Sequence, residues 1–322
     1  MPNEILITGA SGFVGFHLAK KLSENKSNHL YLVDNQIRSD FDVDFKELCE
    51  KNNVTYIHGD LKNADFIAKL PEVSSVFHLA AFNGTQNFYS RPWDVFDNSL
   101  RPTILLLERY STNLETNFLY TGTSESYADA VSHGISKIPT NEDSPIYFHD
   151  LKNPRWSYGF AKTSGEVALH AASQQFGSRY QIFRLHNIYG TRMGFEHVIP
   201  DLIRKQLAGN GDILGARQSR SFLHISDAIN IMISLSNVES AYNQTINIGS
   251  PIEITISQLA KKISNLTKYK GDFVDLGAPL GSVDRRVPDL SKLMSLLSLE
   301  NFRSLDDGLS ETFEYMTSRK IV

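Results

Sequence analysis

Cys49 is the only cysteine in 322 residues. An intrachain disulfide is therefore excluded, as is a metal centre built on several thiolates, and a reducing compartment fits best. Long apolar runs are also missing, so no membrane-spanning helix is expected. The start Met1-Pro2-Asn3-Glu4 carries no basic residue and Ile5 to Ala10 is too short for the apolar core of a secretory signal, so a cytoplasmic protein is expected. Excess charge is lacking too. The formal net charge is only -4, and no basic cluster alternates with aromatics, which argues against nucleic acid as a partner. His78, His186, His197 and His224 are scattered without metal-ligand spacing, each reads as a packed or capping histidine, and no metal is expected. Internal repeats and low-complexity tracts are absent.

What is present is a regular alternation of strands and helices. Glu4 to Thr8 is a short apolar run that breaks into Gly9-Ala10-Ser11-Gly12-Phe13-Val14-Gly15 before a helical pattern through Leu18 and Leu22. Strands follow at His29 to Asp34, Val54 to His58, Ser75 to Leu79, Asn117 to Thr121 and Tyr180 to Leu185. Helices are expected over 41–51, near Ala64, over 93–110 and over 157–176. This order implies a doubly wound, mainly parallel sheet of the Rossmann type, covered on both faces. After His186 the rhythm loosens into short elements, with a capping-box spacing at Thr255-Ile256-Ser257-Gln258 ahead of a helix over 259–266 and a loop over 279–288. The expected organisation is a nucleotide-binding domain over 1–185 and a smaller C-terminal substrate-binding lobe over 186–322, with elements of the latter free to return to the first.

Three glycines spaced Gly-x-x-Gly-x-x-Gly between a strand and a helix let the backbone approach a pyrophosphate at the helix N-terminus. Asp34 ends the second strand, where a carboxylate accepts hydrogen bonds from a ribose diol and repels a 2′-phosphate, so NAD is favoured over NADP. Further along, Tyr158 and Lys162 stand four apart on a helix, which puts both on one face. The ammonium can then stabilise the phenolate, and a tyrosine so tuned removes a hydroxyl proton near neutral pH. Upstream, Thr121-Gly122-Thr123-Ser124-Glu125-Ser126-Tyr127 follows the fifth strand, where the Thr123 hydroxyl can hold a reacting oxygen beside the tyrosine. Thr123 and Ser124 also suit helix capping, and both roles can hold together.

These motifs together, over nearly the whole chain, resemble the extended short-chain dehydrogenase/reductases, specifically the NAD-dependent epimerase/dehydratase enzymes acting on nucleotide sugars. The resemblance implies cofactor contacts at Gly9, Gly12, Phe13, Val14, Gly15, Asp34 and Asn35, at Asp60 and Leu61, and at Leu79, Ala80 and Ala81 in His78-Leu79-Ala80-Ala81. It implies catalytic roles for Thr123, Ser124, Glu125, Tyr158 and Lys162, the last two also touching the nicotinamide ribose. Arg184 to Met193 is similar to the family's Arg-x-x-Asn-x-Tyr-Gly-Pro-Arg-Met stretch with Thr191 in place of proline, which implies substrate contacts at Asn187 and Arg192. Arg220, and Arg285 or Arg286, stand where relatives bind diphosphate or sugar, with Arg285 the favoured member of that pair. Ser99-Leu100-Arg101-Pro102-Thr103 replaces the usual Asn-x-x-Gly-Thr.

Ser124-Glu125 after the catalytic threonine resembles the nucleotide-uronate decarboxylases. A 4-epimerase is the next reading and a 4,6-dehydratase the third, because one 4-keto intermediate serves all three. A non-catalytic NAD-binding sensor or scaffold is the alternative of another class. The expected substrate is a UDP-sugar, and the helices around 102–110 and 157–176 are expected to form a homodimer contact.

Overall fold

A computed structural model of the chain describes residues 3–278, 282–299 and 301–319. The expected start at Met1-Pro2 and residues 279–281 of the expected loop lie outside them. The chain divides into two compact units, one of residues 1–123, 150–184 and 232–246, the other of residues 124–149, 185–231 and 247–322.

The first unit is organised by six strands, β1 (Asn3–Thr8), β2 (Asn28–Asp34), β3 (Val54–His58), β4 (Ser75–His78), β5 (Asn117–Thr123) and β6 (Arg179–Leu185). Together with the strand Gln244–Ile248 they form a seven-stranded sheet in the order β3-β2-β1-β4-β5-β6 and then Gln244–Ile248. The pairings of β1 with β2 and β4, of β2 with β3 and of β4 with β5 are parallel. Continuous apolar runs such as Leu6-Ile7 and Leu32-Val33, fully buried, suit strands covered on both faces. Helices follow the strands in chain order, α1 (Phe13–Leu22), α2 (Val43–Cys49), α3 (Ala64–Ile67), α4 (Thr85–Ser90), α5 (Pro92–Tyr110), α6 (Ala128–Ser132) and α7 (Trp156–Phe176), of which α6 belongs to the second unit. The helix expected over 41–51 is shorter because the Asp42 carboxylate accepts the Phe45 N–H and starts it at Val43.

The order reverses between β1 and β4. The chain runs outward from β1 to β3 and then crosses back, so the loops after Thr8 and His78 leave neighbouring strand ends in opposite directions. That divergence opens the space a dinucleotide occupies in such sheets. On one face α5 and α7 pack side by side, and Gly165 is what lets α7 approach β5: a Cβ there would stand 2.3 Å from the Tyr120 hydroxyl.

The second unit has its own core, in which Ile199, Leu202 and Ile203 of the helix Val198–Leu207 meet Leu259 and Ile263 of the helix Ile256–Thr267 and Leu309 of the helix Leu305–Ser318. The capping box forms as expected, Thr255 Oγ1 accepting the Gln258 N–H, but the helix begins at Ile256, ahead of the expected 259. The strands Ser219–Ser221 and Leu223–His224, only one residue apart, join different small sheets. Ser219–Ser221 is the centre of a three-stranded sheet between Glu253–Thr255, antiparallel, and Arg285–Arg286, parallel.

Candidate active site

The glycine loop is shaped by contacts that only glycine permits. Gly9 has a φ of +69°, and a Cβ on it would lie 2.8 Å from the Ala80 backbone. A Cβ on Gly15 would lie 2.1 Å from the Gly9 carbonyl oxygen. The loop is thereby pressed against the start of α1, whose N-cap, Gly12, offers no side-chain acceptor and whose first turn has no acidic residue. The first N–H groups of α1 therefore remain available to an anion. Phe13 and Val14 open that helix, and the Phe13 ring meets His17 edge-on at 5.8 Å.

Asp34 is pinned to the same loop. Its Oδ2 accepts the Ser11 N–H at 3.0 Å and its Oδ1 the Gln36 N–H at 2.7 Å, each oxygen keeping a further lone pair. Asn35 Oδ1 accepts the Ile37 N–H, and Asp60 Oδ1 the Lys62 N–H, so both side chains order their own turns. Leu61 is buried in the core of the first unit.

Leu79 and Ala80, with Ala81 next in the chain, are fixed by a device the sequence did not single out. Thr8 Oγ1 accepts the N–H groups of both Leu79 and Ala80 at 3.2 Å and lies 2.7 Å from His78 Nδ1. His78 Nε2 reaches Thr103 Oγ1 at 3.0 Å. Burial, and then the Lys162 charge, hold His78 well below the usual imidazole range, so it is neutral. A threonine directly before the first glycine and a histidine directly before Leu79 were the available signals.

Thr123 ends β5 and is buried. Tyr158 lies in the first turn of α7, half-buried, its ring stacked on Phe88 at 5.6 Å and packed against Phe82 and Val95. One turn on, Lys162 is only 1 % exposed. Its Nζ has no hydrogen-bond partner among the described residues and sits 4.1 Å from the Tyr120 ring centroid. Burial pushes the ammonium down to about 7, the Glu166 charge opposing this. Glu166 is itself clamped by the buried Arg184, at 3.0 Å from Nε to Oε1 and 2.5 Å from Nη2 to Oε2. A buried ammonium without an acceptor, a loop with no room for a Cβ and an uncapped helix start fit a dinucleotide, whose ribose hydroxyls and pyrophosphate would supply the missing partners.

In the second unit the buried Ser124 opens a short 3-10 turn, Ser124–Tyr127, whose second residue is Glu125. Glu125 Oε1 lies 2.9 Å from Arg286 Nη1, both side chains about 15 % exposed (16 and 14 %). Register explains the partner. Arg286 pairs directly with Arg220 on the parallel neighbour, so the two guanidinium groups project from one face of the small sheet. Arg285 pairs with Ser219 and projects from the other face, where it forms a two-pronged bridge to Glu253 at 2.8 Å and is 53 % exposed. Arg220 is braced by the carbonyls of Ser219 and Asp284. Asn187 and Arg192 both have left-handed backbones, φ 43° and 67°, and Asn187 Nδ2 donates to the Ser221 carbonyl. Strain of this kind in non-glycine residues clusters at ligand sites.

This chain belongs to the NAD dependent epimerase/dehydratase family, whose model matches residues 5–249. It is an enzyme of that family and NAD is its cofactor. UDP-glucuronic acid decarboxylase 1 of Danio rerio is 30 % identical over 322 residues, which cover 97 % of this chain and 72 % of that protein. An uncharacterized UDP-glucose epimerase of Bacillus subtilis is 27 % identical, covering 98 % of each chain. Among solved structures, UDP-glucuronic acid 4-epimerase from Bacillus cereus, in complex with UDP-glucuronic acid and NAD, superposes with a TM-score of 0.88 at 25 % identity, over 98 % of this chain and 99 % of that one.

Proposed function

We propose that the chain oxidises a UDP-sugar at C4 and, when that sugar is a uronate, releases its carboxyl group as carbon dioxide. The observation that carries this reading is Glu125, two residues after Thr123 and held by Arg286 at 2.9 Å. Bound NAD supplies the two-electron oxidation of C4 and its reversal. Gly9, Gly12, Phe13, Val14 and Gly15 receive the pyrophosphate, Asp34 and Asn35 the adenosine ribose, Asp60 and Leu61 the adenine side, and Leu79, Ala80 and Ala81 line the remainder.

Tyr158 takes the proton of the C4 hydroxyl, Thr123 holds that oxygen by a hydrogen bond, and Lys162 stabilises the phenolate and holds the nicotinamide ribose. The C4 ketone then lies β to the C6 carboxylate. The C5–C6 bond breaks, its electron pair is drawn into the carbonyl as an enolate, and C5 is protonated. Ser124 and Glu125 are the polar groups assigned to that stage, Glu125 as the second acid or base. Arg220 and Arg286, on one sheet face, grip the diphosphate, with Asn187 and Arg192 as further substrate contacts; Arg285 is left to its bridge with Glu253.

Proton NMR of the purified protein with NAD and UDP-glucuronate tests this. A new pentose anomeric signal is the expected result. A galacturonate signal instead would establish the 4-epimerase, a reading supported by the likeness to the Bacillus cereus enzyme. No change with UDP-glucuronate would overturn both and direct the search to neutral hexoses.

No helix among the described residues is long and apolar enough to cross a membrane. A cytoplasmic location is part of the proposal, supported by the single free thiol. So is a homodimer through α5 and α7, supported by the exposed Ile104, Phe160 and Val167 on these helices. Light scattering at micromolar concentration decides it, a monomer removing the dimer.

A further inference from the structure

Asp129, in the first turn of α6, is a carboxylate taken almost completely out of water, its side chain 1 % exposed. Its only ion-pair partners among the described residues are two imidazoles, His133 and His149. His133 Nδ1 stands 3.1 Å from Oδ1 and 2.9 Å from the Asp129 carbonyl oxygen. His149 Nδ1 stands 2.9 Å from Oδ1 and 2.8 Å from Oδ2, and the His149 backbone N–H also donates to Oδ2 at 2.6 Å. The two rings tilt toward each other with centroids 4.5 Å apart. One ligand atom from each of the three residues lies within 4.8 Å of the others.

A buried carboxylate needs a positive partner to offset the loss of hydration. A divalent ion supplies that positive charge. We propose that Asp129, His133 and His149 bind one transition-metal ion of the zinc, cobalt and nickel class, the remaining coordination positions being taken by water. Two imidazoles and one carboxylate are the donor set such ions prefer, whereas calcium and magnesium require more oxygen ligands than the cluster offers. The dimensions suit it as well. Bonds of about 2.0–2.1 Å in a tetrahedral site set ligand atoms about 3.3 Å apart, so the nitrogen-to-oxygen distances here need open by only a few tenths of an ångström.

Two further features belong to a metal site. The His149 N–H on Oδ2 fixes the carboxylate from behind, the outer-sphere role that orients a ligand. Both histidines are about two-fifths exposed, at 41 and 42 %, so the cluster lies at the surface side of the buried carboxylate. The ion would tie α6, which follows directly on the turn carrying Glu125, to the far end of the excursion that returns at His149. Linear spacing hides the cluster: the i,i+4 pair Asp129 and His133 looks like an ordinary helix pair, and His149 comes from a loop twenty residues after Asp129. None of the four histidines singled out in the sequence takes part.

The test is a cobalt(II) titration of the intact protein followed by visible absorption, with zinc equilibrium dialysis in parallel. One equivalent of cobalt producing ligand-field bands, displaced by zinc, is expected, with a rise in unfolding temperature as zinc is added. His133→Gln and His149→Gln should each weaken zinc binding by at least about tenfold, while His58→Gln, on an exposed histidine elsewhere, should not. Unchanged stoichiometry and affinity in the His133→Gln and His149→Gln proteins, both shown folded by circular dichroism and NAD binding, would overturn the proposal, as would the absence of cobalt binding to the unaltered protein.

Discussion

The two units hold their charged side chains in opposite ways. In the first, the work is done by backbone shape and withheld partners: glycines with no space for a Cβ, a helix start without a cap, and a buried Lys162 ammonium lacking an acceptor. In the second, charge is matched by charge: Arg286 sits on Glu125 on the sheet face that also carries Arg220, while Arg285 on the opposite face is taken up by Glu253. A site made of shape is spoiled by adding atoms, whereas a site made of ion pairs is spoiled by removing charge. Partnered arginines also stay ordered without ligand, while an orphaned lysine is held at a cost that ligand relieves.

The largest effect should come from the first unit. Tyr158→Phe is expected to cut turnover by about 100- to 10,000-fold while leaving NAD binding intact, measured by the NMR assay and by cofactor titration. Substantial residual turnover would remove Tyr158 as the base. In the second unit, Arg286→Gln should lower kcat/KM for the sugar nucleotide by about 10- to 100-fold, the loss of a hydrogen-bonded charge, whereas Arg285→Gln should leave it nearly unchanged. Equal losses would mean that the two sheet faces are not distinct in function.

A smaller effect concerns pH. Burial lowers Lys162 from 10.5 to about 7 in the folded chain. Above about 7 the unfolded chain therefore holds the extra proton, and stability should rise with pH from there toward 10.5. Urea unfolding of the NAD-free protein at pH 7 and 8.5 should show this rise, and Lys162→Met should flatten it. Smallest is Glu253→Gln. Arg285 holds the Glu253 carboxyl down to about 2, so the bridge stabilises fully above about 4.5 and is lost as pH falls toward 2. Because the pair is exposed, the variant should lose only about 0.2–1 kcal/mol at neutral pH, measured by the same unfolding curves.

This contrast also decides what could be read before folding. The glycine loop, the alternating strands and the Tyr158–Lys162 pair are local, set by period and spacing within one turn or one βαβ unit. The small sheet is assembled from three segments, Ser219–Ser221, Glu253–Thr255 and Arg285–Arg286, too short for any period to register. Which arginine faces Glu125 depends on a parity fixed only when Arg286 pairs with Arg220. Residues 124–149 join the second unit although their neighbours on both sides belong to the first, and no shift of composition marks that exit.

The Thr8 hydroxyl leaves one further mark. It has a single hydrogen and already accepts from Leu79 and Ala80, so that hydrogen must go to His78 Nδ1. The ring is then obliged to carry its proton on Nε2 and give it to Thr103, whose own hydroxyl passes on to the Ser99 carbonyl. The row from β1 through β4 to α5 thus has a sense of direction, each group handing on what the previous one requires it to give. Reversing any one link would leave two acceptors or two donors face to face, so the tautomer of a single imidazole reports whether the glycine loop and the fourth strand are correctly seated.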